Sequence, residues 1–427
     1  MMKKMFLVLA VLMLPALLFA TGVQQGTSGG GYLRFAWWGN ATRDERTQNV
    51  INLFVQRNPG VTIEPQIGTF GGGYWDVLAA QAASRDLPDV IQQDVSYIMR
   101  YADQLADLQP FANRGIIDLS KWPQASLGNG TINNRMVGLL LGINALNMGV
   151  DPAVLTRAGV TFDDTKWSWA DYERICLQIF QATGIQTYPA VQIRHILESL
   201  ALQTNSSLFT ADGRQLGMAV NQQTYDALKA YLEMELRLMT AGALFDPDDA
   251  FIQGRAMAEE PLERGRTWNM DFWNNQIEAH QDAANRKLES KMIPSITGNS
   301  SPGMYLRSSM YISMAENSTN KDLAARFINF FINDIEANRI LLGERGIPVP
   351  TDVKADLYSR VSAGTQYAFD YIDRITPFAS SGTNYPANAG EVEAMLQNVT
   401  QRILTGRTTV DAGLQEMVRE SNAILAR

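Results

Sequence analysis

The sequence predicts an α/β protein whose first half is a mainly parallel sheet covered on both faces by helices. Three observations predict it. Short apolar or alternating runs at about 32–38, 61–67 and 90–94 read as strands. Amphipathic helical stretches separate them. Gly-, Asn- and Pro-containing turns punctuate the junctions. Strand–helix alternation of this kind feeds successive strands into one sheet.

Taken in order, Tyr32–Arg43 (YLRFAWWGNATR) alternates as a strand through Phe35 and then presents Trp37 and Trp38. The turn Gly39–Thr42 opens into a helix over Asp44–Gln56, with Val50, Ile51, Phe54 and Val55 on one face, stopped by Asn58-Pro59-Gly60. Val61–Ile67 is a strand. Gly71-Gly72-Gly73 leads into Tyr74-Trp75-Asp76 and an alanine-rich helix to about Ser84. Pro88–Ile91 starts a short buried strand ending at Asp94, and Tyr97–Leu105 is helical. The middle is richer in helix, with Asp151–Ala158, Trp169–Phe180 and Tyr225–Met239 expected, and extended runs at Gly138–Val150 and Lys291–Ile296. Leu306–Met314 is a strand, Lys321–Ile332 a strongly amphipathic helix, Glu344–Pro350 a turn and connector, and Glu391–Leu404 and Thr409–Leu425 two closing helices.

The chain's start has the three-part form of an export signal: Lys3 and Lys4, an apolar run Met5–Leu18, then small residues at Ala20–Gly22. The expectation is a signal peptide over 1–22, with Thr21 standing where a lipoprotein would need Cys, and a flexible leader over 23–31. Removing 1–22 leaves about 405 residues, enough for two or more domains. It also moves the formal charge from −8 to −10, because Lys3 and Lys4 leave with no acid. An acidic chain without basic runs is a poor fit to nucleic acid or an anionic membrane. Cys176 is the only cysteine, so no intrachain disulfide is expected, and apolar neighbours make it a buried small hydrophobe.

Of eight tryptophans, Trp37, Trp38, Trp75, Trp268 and Trp273 each stand within two residues of Gly, Asn or Asp. Aromatic faces flanked by amides and carboxylates suit sugar rings, whose C–H faces stack while their hydroxyls need fixed partners. Trp122, Trp167 and Trp169 read as structural. No local motif singles out a pair of carboxylates for glycoside hydrolysis. His195 and His280 share no metal-ligand spacing, and His280 reads as a helix surface residue. There is no nucleophile elbow and no phosphate-binding loop pattern. A non-enzyme without metal or cofactor is expected.

Several segments, in order, resemble a known family: the WWGN opening, the helix ending in Asn58-Pro59-Gly60, Tyr74-Trp75-Asp76, Leu87–Val90, Asp151–Val160 (DPAVLTRAGV), Trp167–Tyr172, Phe272–Gln276 (FWNNQ), and Ser318–Leu341 followed by ERGIPVP. Together they resemble the family-one extracellular solute-binding proteins of ABC importers, the sugar-binding, maltodextrin-binding-protein-like class. The resemblance implies a type II periplasmic binding fold, two discontinuous α/β lobes joined by hinge crossings with a ligand cleft between them. It places lobe one at 32–140 and 296–346 and lobe two at 141–295 and 347–427. It also implies a monomer that captures a mono- or oligosaccharide and delivers it to permease subunits in the membrane. The missing lipoprotein cysteine favours a periplasmic location. Asn147–Asp151 departs from the family pattern, so no contact is carried over there.

The candidate ligand-binding residues are Trp37, Trp38, Asn40, Arg43, Tyr74, Trp75, Asp94, Asn144, Trp268, Asn269, Trp273, Asn275 and Arg307. Trp37 or Trp38 would stack on a ring, Asn40 or Arg43 would bond a hydroxyl, and Asp94 would accept two. Each has a competing reading. The alternatives are Trp37 or Trp38 as the cap of a core edge, Trp75 as a packing residue, Asp94 as a helix cap, Arg43 paired with Asp44 or Glu45, and Asn275 as a cap or packing residue. An acidic chain with few arginines near the site makes an anionic ligand the less attractive expectation.

Overall fold

The structure, a computed structural model, describes residues 30–68, 73–252, 254–298 and 303–427. The expected signal peptide, all but the last two residues of the leader, and Gly71 and Gly72 lie outside the described residues.

Ten strands are present among the described residues: β1 Tyr32–Trp38, β2 Thr62–Gly68, β3 Val90–Gln93, β4 Thr131–Ile132, β5 Arg135–Met136, β6 Leu139–Val150, β7 Asn269–Trp273, β8 Glu289–Lys291, β9 Met304–Met314 and β10 Ala379–Ser381. The main sheet runs β2-β1-β3-β9-β6-β7, with β10 on β9 and β8 on β6. β1 pairs parallel with β2 and β3, as the strand–helix alternation predicts. The expectation of a mainly parallel sheet fails beyond that point. β9 runs antiparallel to β3 and β6, and β6 antiparallel to β7 and β8. The reason is connectivity. The first strands are joined by single helices, which return the chain in the same direction, whereas β6 and β9 are long strands traversing the molecule in opposite directions.

β6 ties the two ends of the sheet together. Its first half, to Ala145, pairs with β9, and from Leu146 it pairs with β7. The extended run expected at Gly138–Val150 is this strand. The backbone of β6 passes tightly under the connector before Pro348: Ile143 N–H donates to Ile347 O at 2.8 Å.

Amphipathic helices cover the sheet. Ala41–Arg57 begins a turn earlier than the apolar pattern shows, because the Asn40 side chain caps it by accepting from Arg43 N–H at 2.9 Å. Lys321–Asn333 buries Phe327 and Phe331 edge-on against Phe35 of β1, at ring separations of 5.4 and 5.6 Å. Trp169–Thr183 starts with a capping box, Ser168 and Asp171, and stops at Gly184 with φ +72°. One helix the sequence pattern does not mark is Ile193–Gln203, whose residues from Ile193 to Ala201 are all buried. It is amphipathic even so: Ile193, Ile196, Leu197 and Leu200 form its apolar face, while Arg194, His195 and Glu198 meet Glu393, Asp271 and Tyr385.

Candidate ligand-binding cleft

The chemistry gathers where β6, β7 and β9 meet. Asn144 of β6 pairs in register with Arg307 of β9, and Leu146 with Trp273 at the end of β7. Side chains alternate along a strand, so Asn144, Tyr305, Arg307 and Trp273 share one sheet face. The Arg307 guanidinium carbon lies 4.8 Å from the Trp273 ring centre and 5.4 Å from that of Tyr385. The Tyr305 ring stands edge-on to Trp273 at 6.2 Å. Three polar atoms on this face are buried without a hydrogen-bond partner: Arg307 Nε, Asn144 Oδ1 and the Tyr305 hydroxyl. Buried polar groups are nearly always paired, so a cluster of orphans on one face makes it a candidate for ligand contact.

The buried helix Ile193–Gln203 forms the wall. Arg194 reaches the Tyr385 hydroxyl and lies 3.5 Å from Glu198 and 3.1 Å from Glu393. Tyr385 donates to Glu198 Oε2 at 2.8 Å, and Thr383 N–H to Glu198 Oε1 at 2.9 Å. His195 Nδ1 sits 3.0 Å from Asp271 Oδ2, and its ring meets Trp273 edge-on at 4.9 Å. Burial first, and then the neighbouring Arg194 charge, push the His195 pKa down. A neutral ring therefore donates Nδ1–H to the Asp271 carboxylate. Beside this wall opens a cavity of about 430 Å³ lined by Tyr188, Gln192, His195, Asp271, Trp273 and Gln276, among others.

On the side of β3, Gln92 and Gln93 are fully buried at the strand's carboxyl end. Gln92 bridges Arg345 Nε at 2.8 Å and Trp38 O at 3.2 Å, while both amide atoms of Gln93 lack a partner. Trp75 stacks flat on Tyr97, with ring centres 3.9 Å apart.

The thirteen expected residues divide by place. Asn144, Trp273 and Arg307 come together on the face described. Trp38, Tyr74 and Trp75 form a packed aromatic group near β3, with the Tyr74 hydroxyl donating to Gln92 O at 2.7 Å. The other seven lie elsewhere, most of them with partners within the protein. Trp37 is fully buried in the core with its indole N–H on Asp44 at 2.9 Å. Trp268 is fully buried as well. Asn269 is buried among Thr187, Tyr188 and Tyr172, bonding all three. Asn40 is occupied as a helix cap. Arg43 pairs with neither Asp44 nor Glu45 but with Glu344 at 2.8 Å. Asp94 accepts from Ser96 N–H at 2.9 Å, capping the turn that follows. Asn275 is exposed, while its neighbour Asn274 is buried and accepts from Ala145 N–H at 2.7 Å.

Other readings of the residues fare differently. Cys176 is buried, and burial pushes its thiol up to about 12. Trp122 and Trp167 are buried with their indole N–H groups on Asn333 and Met292 O. His280, expected on a helix surface, is buried. Its ring stacks on Phe272 at 3.9 Å, and Nδ1 bonds Glu263. Arg194, Glu198, Asp271, Tyr305 and Tyr385 escaped the sequence reading. Only Asp271 carries a signal, two residues before Trp273 on an alternating strand.

The family model for bacterial extracellular solute-binding proteins matches residues 38–337, well over half of the chain. Among solved structures, a family 1 extracellular solute-binding protein from Alicyclobacillus acidocaldarius is 24% identical, with 93% of this chain and 99% of that one covered and a TM-score of 0.80. A periplasmic oligogalacturonide binding protein from Yersinia enterocolitica is 18% identical over 93% and 99%, with a TM-score of 0.80. A cyclic alpha-maltosyl-1,6-maltose binding protein from Arthrobacter globiformis is 18% identical over the same shares, with a TM-score of 0.69. These likenesses show the type II periplasmic binding fold, two α/β lobes joined by crossing segments. The chain belongs to the bacterial extracellular solute-binding protein family.

Proposed function

We propose that the protein captures an oligosaccharide in the periplasm and delivers it to the membrane subunits of an ABC importer. The observation that carries this reading is the shared face of Asn144, Tyr305, Arg307 and Trp273, where aromatic surface stands beside buried polar atoms without partners. Sugars need that combination: ring faces meet aromatic rings while hydroxyls satisfy fixed donors and acceptors. The sugars named for the Yersinia and Arthrobacter relatives support it. In this reading residues 1–22 direct export. Lobe one comprises 32–140 and 296–346, and lobe two 141–295 and 347–427.

The ligand would act by stabilising closure. It meets one lobe first and gains contacts with the second only when the lobes approach, so it favours the closed state by that difference. Dissociation constants of about 10 nM to 10 µM, roughly −11 to −7 kcal/mol, would suit scavenging.

Calorimetric titration of the protein with a panel of oligosaccharides, peptides and polyols tests the reading. The expected result is a response confined to oligosaccharides, recovered intact, with Trp273→Ala weakening it by about tenfold or more through loss of ring contact and of the surface that holds Arg307. Binding of peptides or polyols alone would leave the fold standing and remove the sugar. Shortened oligosaccharide in the recovered material would point to catalysis instead.

A further inference from the structure

Arg307 is a half-buried cation whose side chain has neither a counter-ion nor a hydrogen bond among the described residues, and that combination sets it apart. Arg194 lies between Glu198 and Glu393, Arg43 pairs with Glu344, and Arg345 donates to Gln92 Oε1 and Thr47 Oγ1. Arg286 is held by Asp151 at 2.8 Å. Among the described residues the Arg307 side chain makes no hydrogen bond and no ion pair, and its Nε is buried without a partner. What holds it is aromatic. Trp273 and Tyr385 both lie within cation–π distance of its guanidinium carbon, at 4.8 and 5.4 Å to the ring centres. Rings fix where the guanidinium lies, but they neither neutralise its charge nor accept its five N–H groups.

The surrounding carboxylates are already engaged. Asp271 is bonded to His195, and Glu198 accepts from Tyr385, from Thr383 N–H and from the Arg194 side chain. Next to Arg307 stand two more orphans, Asn144 Oδ1 and the Tyr305 hydroxyl, one an acceptor and the other a donor. A neutral hydroxyl would satisfy the N–H groups of Arg307 but leave its charge uncompensated as closure strips the water away. A carboxylate does both, because its two oxygens match the planar fork of the guanidinium. Sugar hydroxyls flanking that carboxylate would satisfy Asn144 and Tyr305.

We propose that Arg307 is the specificity residue for an acidic sugar, reading the carboxylate of a uronate unit in the bound oligosaccharide. This rests on the oligosaccharide-binding reading above and narrows it from sugars in general to acidic ones.

Calorimetry on the full chain tests it with three probes: trigalacturonate, its methyl ester and neutral galactotriose. The wild-type protein should bind trigalacturonate at least about tenfold more tightly than either neutral probe. Arg307→Gln should lose about ten- to a hundredfold for trigalacturonate, the range expected for a hydrogen bond to a charged group. Arg307→Lys, which keeps the charge but not the fork, should fall between the two. The ester arm needs no variant, so it decides the matter even if Arg307→Gln does not fold. Equal affinity for the acid and its ester, or an Arg307→Gln variant that matches wild type, overturns the proposal. Tight binding of galactotriose with none of trigalacturonate overturns the acidic sugar and leaves the oligosaccharide reading intact. Silence toward all three, with a response to peptides or polyols, removes that reading and the proposal with it.

Discussion

Glu235 shows at the residue scale what a buried charge costs when nothing neutralises it. Its carboxyl is buried and accepts from Ala190 N–H at 3.0 Å and from the Tyr231 hydroxyl at 2.9 Å, with no cation paired to it among the described residues. Burial, the largest cause, pushes its pKa up from 4.5 to about 8, against the pull of those two hydrogen bonds. Between about 4.5 and 8 the folded chain therefore holds a proton the unfolded chain has lost. Stability then falls as pH rises through that window and levels off above it, by on the order of 5 kcal/mol at most. Glu235→Gln should flatten this slope, gaining over wild type as pH rises toward 8, as urea unfolding at a series of pH values would show. His195, whose pKa is lowered, slopes the other way: its contribution is lost as pH falls below its ordinary 6.5. The difference between wild type and Glu235→Gln isolates the glutamate. A wild-type slope retained in Glu235→Gln would mean the carboxyl is ionised in the folded protein. Glu235 underlies the Tyr188–Gln192 stretch that borders the cavity, so its state bears on the cleft wall.

At the scale of elements, the crossing of β6 under the connector depends on one missing side chain. A Cβ at Gly142 would lie 2.6 Å from Arg345 O and 2.8 Å from the Gly346 backbone, which cannot yield as a flexible side chain would. Gly142→Ala should cost about 1–3 kcal/mol in urea unfolding, the range for overpacking. An unchanged midpoint would mean that the connector gives way freely. Periodicity made most of these elements legible. The helix Lys321–Asn333 carries its apolar stripe openly, and Gly138–Val150 reads as extended because glycines and apolar residues fill it. What periodicity could not reveal is partnership. Nothing in the local pattern says that β9 returns antiparallel, that Ala379–Ser381 joins it as β10, or that Ile193–Gln203 buries its charged side as well as its apolar one. The same limit divides the site residues. Trp37 and Trp38 look alike in sequence, yet Asp44 takes the indole N–H of Trp37 and holds it in the core. Arg43 and Arg307 were both legible as cations near the site. Only the fold shows that Glu344, three hundred residues on, takes the first and that nothing takes the second. An acidic composition speaks against an anionic ligand only on average over the surface; a single cation without a described counter-ion, such as Arg307, is a local feature that net charge does not reveal.

At the scale of the whole molecule, segments assigned to different lobes already touch. A Cβ at Gly213 would come 3.2 Å from Met99 Cε and 3.2 Å from Pro386 Cβ. Asn384 Nδ2 donates to Thr131 O at 2.9 Å, and Ser381 Oγ to Ala125 O at 2.7 Å. The segment 379–385 thus reaches from the wall around Glu198 to the β4 side of the molecule, and it carries Tyr385, one of the two rings about Arg307. The connector is fixed at its start by Arg345 on Gln92 and Thr47, so rotation has to be taken up beyond it, at Ile347–Pro350, and along β6 and β9. The side-chain hydrogen bonds among these contacts are part-buried and worth only about 1 kcal/mol each, little to set against the rotational freedom of two lobes. The ligand-free protein should therefore be more open in solution than this structure. Small-angle X-ray scattering should give a radius of gyration above the roughly 21 Å expected for a compact chain of about 400 residues, falling toward it at saturating oligosaccharide. Asn384→Ala removes two cross-segment bonds, to Thr131 O and from the Tyr311 hydroxyl, and should raise the ligand-free value further while leaving the saturated value near wild type. A radius that does not change on saturation, in a sample that calorimetry shows to be fully bound, would rule out closure. The cleft would then be a fixed pocket whose specificity rests on Arg307 and its two rings alone.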